Sequence, residues 1–322
     1  MQKKQDFKKP KISVIMSVWN VEEFLDEAIQ SILNQTFKDF EFIIINDASS
    51  DNSLKIIQKN MKKDKRIILI NNKKNKGLTI NLINGIKRAK GKYIARIDGD
   101  DISLPKRLEI QYNFLEKNLD IFLVGGSAIV INEEGKRIGI FEKNDFSEKI
   151  IKKLESGKNP LIHPSVMYRN KGINYREKFA AAEDLDFYLR LITSRKKLIN
   201  IPDFLIKYRL NENSLMATRL HRNNYYNELG RKFYFQRKIR GYDDYDKFSE
   251  KDYIEIKGKE KFKDPFISGR IYAGFQDNKM KQVRKDILFL FKNYNPSSKL
   301  WVVYFLSFIP YKITKFVKNI FD

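Results

Sequence analysis

The chain has 322 residues, 42% of them apolar, which is enough to bury a core and too apolar for a disordered or collagen-like chain. It contains no cysteine, which excludes disulfides, thiolate-held zinc and thiol catalysis, and its 2 histidines, His163 and His221, disfavour a multi-histidine metal site. With 63 Lys and Arg against 40 Asp and Glu it carries a formal charge of +23; that field draws phosphates, nucleic acid or anionic lipid, and the scattered lysines of an AT-rich genome would give the same balance.

Residues 1–10 (MQKKQDFKKP) form a basic tail without the apolar core of a signal peptide. Residues 11–18 are apolar and β-branched and predict a buried strand. Asn20 stands at a helix N-cap position with Glu23 three residues on, a capping-box pairing. Apolar residues then recur at Val21, Phe24, Leu25, Ala28, Ile29, Ile32 and Leu33, the spacing of a helix with one buried face. A second strand over 40–46 ends in Asp47 and a polar turn. A helix to about residue 62, a strand over 66–71, a helix over 78–90 opened by Gly77 and a strand over 93–97 follow.

Strands separated by such helices imply βαβ units and a parallel sheet, in which ligands bind beyond the carboxyl ends of the strands. Asp47 and Asp98 fall at such ends. After Pro105 the pattern gives a helix, strands over 121–124 and 127–132 with a turn at 133–135, and a strand over 164–168. A helix over 184–194 and a strand over 204–210 complete an α/β domain spanning 11–210. Residues 211–322 read as helical and basic.

Asp98-Gly99-Asp100-Asp101 sets three carboxylates directly after an apolar strand. Together they repel unless a cation sits among them, and oxygen-only ligands suit Mg²⁺ or Mn²⁺. The alternative is a solvated acidic loop in which Asp101 or Ser103 caps the next helix. Arg96, inside the strand, needs a partner such as Asp98 or a donor phosphate. Asp184 precedes an apolar-periodic helix, so by spacing it fits an N-cap as well as a base; Asp186 reads as a helix-surface charge. Trp19 fits either stacking on a base or core filling. No G-x-G-x-x-G follows the first strand and no Walker A sequence occurs, which disfavours dinucleotide oxidoreductases and P-loop enzymes.

Taken in order, SVIMSVWNVEEFLDEAIQSILNQTF (13–37), FEFIIINDASSDNS (40–53), NKGLT (75–79), GKYIARIDGDDISLPKRLEIQ (91–111), HPSVMYR (163–169) and AAEDLDFYLRL (181–191) closely resemble the family 2 glycosyltransferases. The resemblance implies the GT-A nucleotide-diphospho-sugar transferase fold, a Rossmann-like, mostly parallel α/β sheet flanked by helices. It implies an inverting transfer from a nucleotide-diphosphate sugar, foremost a UDP-sugar, to a glycan or lipid-linked acceptor in bacterial-type surface polysaccharide synthesis. Ser17, Asn20 and Glu22 match positions lining the nucleotide pocket, and Asp47 matches the acid holding the nucleoside. Asp98 and Asp100 match the D-x-D motif, Asp98 towards ribose and metal and Asp100 towards the metal, with Arg96 beside the donor. Asp184 matches the general base and Arg209 a phosphate contact; beside them, Glu183 is placed to orient the acceptor, and His163, before Pro164, reads as a structural or acceptor-side residue rather than a base. Two positions depart from the pattern: Ile83 where many relatives carry Asn, and Asn211 where relatives often carry His.

Residues 300–311 (LWVVYFLSFIPY) carry no charge yet are too few to span a bilayer as one helix. Ile313, Phe316, Val317, Ile320 and Phe321 keep helical spacing beyond them, with Lys312, Lys315 and Lys318 between. A helix over about 299–322 lying on an anionic membrane is expected, or one packed on the protein. The implied location is cytoplasmic, peripheral on the inner face of the cell membrane. A nucleotidyltransferase of related fold would carry a Gly-rich, basic loop where Trp19–Glu23 stands. A nucleic-acid-binding protein would cluster its basic residues in a recognisable motif, and none is present, so nucleic acid is not an expected partner. Intact Asp98, Asp100 and Asp184 speak against an inactive scaffold.

Overall fold

The computed structural model describes residues 9–210, 220–249, 265–293 and 298–309. The first eight residues, Asn211, Lys312, Lys315 and Lys318 lie outside them, with the apolar positions between 313 and 321.

The expected alternation is present: β1 (Ile12–Val18), α1 (Glu22–Leu33), β2 (Phe40–Asn46), α2 (Ser53–Lys63), β3 (Ile67–Asn71), α3 (Leu78–Arg88) and β4 (Tyr93–Asp98). These strands are parallel in the order β3-β2-β1-β4. Successive strands step outward from β1 to β3, and β4 then returns to the other side of β1. The reversal sets the topological switch point at the carboxyl ends of β1 and β4, the position at which open α/β sheets form their ligand crevice. Ser17 and Asp98 are paired across these two strands.

Every residue of β2 is buried, as a strand covered on both faces requires. Ile15, Ile43 and Ile45 pack with Leu82, Ile83 and Ile86 of α3 in the main core, each such side chain worth about 1.5–3 kcal/mol when fully buried. α3 lies so close to the sheet that a Cβ on Gly85 would stand 2.6 Å from Ile15 Cγ2.

The chain continues through β5 (Ile102–Ser103), α4 (Arg107–Lys117), β6 (Ile121–Ile131), β7 (Arg137–Phe141), α5 (Ser147–Glu155), a 3-10 turn at His163–Ser165, β8 (Met167–Arg169), α6 (Glu183–Thr193) and β9 (Lys197–Arg209). β8 runs antiparallel to both β4 and β6, so the sheet is mixed.

Several local expectations are corrected. α1 begins at Glu22 with Val21 as its N-cap and no side-chain cap, and Asn20 takes a left-handed φ of 52°, so there is no capping box. The strands expected over 121–124 and 127–132 are one, β6. Gly125 and Gly126 do not break it; they admit Asn200 Oδ1 and Leu205 Cδ1 to within 2.5 and 2.6 Å of where their Cβ atoms would be. The strand expected over 204–210 is the end of the 13-residue β9, and α5 was not anticipated. Trp19 is 48% exposed and fills no core.

Two compact units divide the chain. The first comprises Met1–Ser127, Lys143–Ile206 and Tyr226–Asp252; the second comprises Ala128–Glu142, Lys207–Tyr225 and Tyr253–Asp322. Helix α7 (Leu220–Arg240) starts in the second unit and continues into the first, where Tyr234 joins the main core. In the second unit α8 (Pro265–Gln276), α9 (Met280–Asn293) and α10 (Ser298–Leu306) enclose their own core of Ile271, Phe275, Val283, Ile287, Leu290 and Val303. Among the described residues no helix is long and apolar enough to cross a membrane.

Candidate active site

β4 delivers the acidic cluster. Asp98, Asp100 and Asp101 each offer a carboxylate oxygen, and these oxygens lie within 4.8 Å of one another. Arg96, on the same strand, is buried and forks onto Asp98 from Nη1 to Oδ2 at 2.6 Å and from Nη2 to Oδ1 at 2.5 Å. Burial opposes the Arg96 charge, but Asp98, Tyr175, Glu183 and Asp101 outweigh it and hold the guanidinium firmly protonated. Three carboxylates that offer only oxygen donors fit a hard divalent cation. The capping alternative does not hold: α4 starts at Arg107 with Lys106 as its N-cap and no side-chain cap bond. Arg107, fully buried, donates to Arg96 O at 2.6 Å and so pins the end of β4.

Opposite in sequence, α6 delivers a second acidic pair. Ala182 is the N-cap in a left-handed conformation with φ 50°, and Asp184 is the second helical residue, so it is not the cap. Asp184 Oδ1 accepts from Leu185 N at 2.8 Å, and its Oδ2 accepts from Asn159 Nδ2 at 2.6 Å. Burial raises the Asp184 pKa against these bonds and the field of Arg96. Burial and then Asp184 push Glu183 up to about 7.

Arg96 acts on both carboxyls of this pair, and Asp98 acts on Glu183. The two acidic groups, 86 residues apart in sequence from Asp98 to Asp184, therefore share one electrostatic neighbourhood in the first unit. His163 Nδ1 stands 3.8 Å from Glu183 Oε1, and its Nε2 is 2.8 Å from Tyr175 Oη. Burial, followed by Arg96, holds His163 well below its usual pKa, so it is neutral.

The loops after β1 and β2 frame the crevice. Asn20 Oδ1 accepts from Ser50 N at 2.8 Å, and Glu22 Oε2 accepts from Asn52 N and Asn52 Nδ2, both at 2.7 Å. Asp47 is buried, and its carboxylate accepts from Asn72 Nδ2, Lys76 N and Gly77 N, each at 2.9 Å. It fixes the β3–α3 loop, including Gly77 at φ 83°. Asn72 also donates to Asn81 Oδ1 at 2.8 Å, and Asn81 Nδ2 donates to Ser17 Oγ at 3.0 Å. A single polar chain thus runs from Asp47 to Ser17, beside Asp98.

Ile83, the departure noted in the sequence, belongs to the apolar core, whereas Asn81 two residues earlier meets Ser17. Arg209 lies in the second unit, where its Nη1 donates to the carbonyls of Asn132 at 3.0 Å and Glu133 at 2.7 Å. Asp186 is not a surface charge. It is fully buried, and Arg176 and Arg190 both donate to it. Sequence reading missed Asn72, Asn81 and Asn159, amides that carry no periodic signal, and Tyr175, which lies in an irregular stretch.

Residues 13–176 match the sequence profile of Glycosyl transferase family 2. An uncharacterized glycosyltransferase of Methanocaldococcus jannaschii is 37% identical over 235 residues, covering 71% of this chain and 81% of the relative. The Escherichia coli O-antigen biosynthesis glycosyltransferase WbnJ is 32% identical over 215 residues, covering 65% of this chain and 83% of that protein. Among solved structures, Staphylococcus aureus TarS 1–349 in complex with UDP-GlcNAc superposes with a TM-score of 0.55 at 16% identity, over 95% of this chain and 92% of TarS. The fold is that of the GT-A transferases.

Proposed function

Because the chain belongs to glycosyl transferase family 2, we propose that it is an inverting hexosyltransferase that uses a nucleotide-diphosphate sugar, foremost a UDP-sugar. The acceptor hydroxyl belongs to a glycan or lipid-linked intermediate of surface polysaccharide synthesis. The O-antigen role in WbnJ's name and the UDP-GlcNAc complex of TarS support the acceptor class and donor.

One observation carries the mechanism: a half-buried carboxylate at the head of α6 feels the field of the same Arg96 that forks Asp98. Asp98 and Asp100 would hold Mg²⁺ or Mn²⁺, which when bound offsets the charge of the departing diphosphate. Ser17, Asn20, Glu22 and Asp47 shape the nucleotide end of the crevice, and Arg96 adds a fixed positive charge beside it. Asp184 takes the acceptor proton as the acceptor oxygen bonds to the anomeric carbon. The bond from that carbon to the diphosphate oxygen breaks on the opposite face, so the configuration inverts. Glu183 and neutral His163 border the acceptor.

The protein acts in the cytoplasm, held peripherally at the inner membrane face by its C-terminal helices. In α10 and the turn after it, Trp301, Phe305 and Phe308 are exposed on one helical stripe, Arg284 of α9 covers the ring of Phe308, and residues 265–322 contain ten Lys and Arg against three Asp. Aromatic stripes flanked by cations suit an anionic headgroup layer.

The test is turnover of UDP-, GDP- and dTDP-sugars with Mg²⁺ or Mn²⁺, using Asp100→Ala as control. Release of nucleoside diphosphate that needs the metal and is lost in the variant supports the reading. Turnover that survives both EDTA and the substitution overturns the metal assignment.

A further inference from the structure

Asp184 must be ionised to take a proton, and its surroundings divide on the matter. Burial and the neighbouring Glu183 favour the neutral acid. Against them stand Arg96 on β4, the Leu185 amide and the side chain of Asn159. The remaining titratable neighbours are Tyr188 on α6 itself and neutral His163 of the 3-10 turn, which reaches Glu183 at 3.8 Å. Asn159 differs from the other two helpers. Arg96 is engaged with Asp98, and the Leu185 amide belongs to the helix backbone, whereas Asn159 comes from the irregular stretch between α5 and the 3-10 turn.

The side chain is exposed, and one orientation of its amide satisfies both partners. Asn159 Oδ1 accepts from Leu161 N at 3.1 Å, so the NH₂ group faces Asp184 Oδ2 at 2.6 Å. A flipped amide would lose the backbone bond and set oxygen against oxygen. The Leu185 amide holds the other carboxylate oxygen, so both oxygens are anchored and each keeps a lone pair for a substrate proton.

We propose that Asn159 is a positioning residue that orients Asp184 and keeps it competent as the base, a role that rests on the reading of Asp184 given above. A hydrogen bond donated to a carboxylate favours its charged form, so removing the donor pushes ionisation to higher pH.

The test is the pH dependence of kcat/KM for the parent, Asn159→Ala, Asn159→Asp and Asp184→Asn, with a UDP-sugar donor and saturating Mn²⁺. In Asn159→Ala the acid limb moves up by about one pH unit, an approximately tenfold loss below the limb that is recovered at alkaline pH. The donor KM, and the affinity for UDP with Mn²⁺ measured by calorimetry, stay within about twofold. Asn159→Asp preserves the size of the side chain and places a like charge on Asp184, so its limb moves further still. A purely structural role would lower kcat/KM equally at every pH. The proposal is overturned if either variant that folds keeps the parent's limb, or loses activity uniformly with pH, while Asp184→Asn is inactive. If Asp184→Asn retains the parent's rate, the base assignment itself has failed, which is a separate result.

Discussion

Asp186→Asn removes one charge from a network buried behind the head of α6. Asp186 has no exposed surface; it binds Arg176 through Nε at 2.9 Å and Arg190 through Nε at 3.1 Å. Arg176 is also bound to Asp243, at 2.8 and 3.0 Å, and its guanidinium lies 4.3 Å from the ring centroid of Tyr245 and 5.1 Å from that of Phe233. Removing one partner of a buried pair costs about 3–5 kcal/mol, because the other charge stays behind without compensation. Asp243 still serves Arg176, so the lower end applies, about 3 kcal/mol. For a unit of this size each kcal/mol moves Tm by about 2–4 °C, which gives a drop of roughly 6–12 °C. Calorimetry at low salt and again in 0.5 M NaCl is the assay, since screening at that concentration (roughly 4–5 Å Debye length) weakens exposed pairs far more than buried ones. A variant that melts within about 2 °C of the parent would refute the buried-network account and return Asp186 to the role of an ordinary surface charge.

Asp184→Asn should cut transfer by at least about a thousandfold while leaving UDP binding intact, as measured by stopped-flow transfer and calorimetry. Glu183 holds its proton up to about pH 7 against an ordinary value of 4.5. Its neutral form therefore stabilises the fold fully below about pH 4.5, and that contribution fades as pH rises through 7. In EDTA, Glu183→Gln should thus gain stability over the parent above pH 7 and show little difference near pH 5, followed by urea unfolding. Replacing Trp301 and Phe305 with Ser should reduce sedimentation with phosphatidylglycerol vesicles at least about fivefold and leave turnover of a soluble acceptor unchanged. Equal sedimentation would remove the membrane assignment. Gly91→Ala should destabilise the N-terminal edge of the sheet by a few kcal/mol, because its Cβ would stand 2.5 Å from Ser13 N; a Tm equal to the parent's would contradict that close approach.

The first half of the fold was legible because each strand from β1 to β4 is a short apolar run and each helix between them repeats its apolar face. Patterns of that kind report burial directly. The D-x-D cluster was legible for another reason: three carboxylates in four residues repel one another unless a cation or solvent separates them, which singles the segment out. Legibility fell where backbone neighbours rather than periodicity decide the outcome. Gly125 and Gly126 read as a break, yet β6 passes through them because β9 lies too close for a side chain. Asp186 looked solvent-facing because its partner Arg176 lies outside any regular element. Asn81 and Asn159 are single amides whose importance comes from what folds beside them. α5 did carry a signal, with Ile150, Ile151 and Leu154 at helical spacing before Gly157, and the run was too short to stand out.

Two unbroken strands, β6 and β9, leave the first compact unit and finish in the second, and the first unit regains the chain only from Tyr226 onward. A ribosome delivering this polypeptide therefore cannot complete the crevice-bearing unit until residues near 252 have emerged. The second unit, opened at 128, closes later still. Cutting the gene after codon 210 would leave the main core without Tyr234 and Arg176 without Asp243, so excised fragments of that length should aggregate rather than fold.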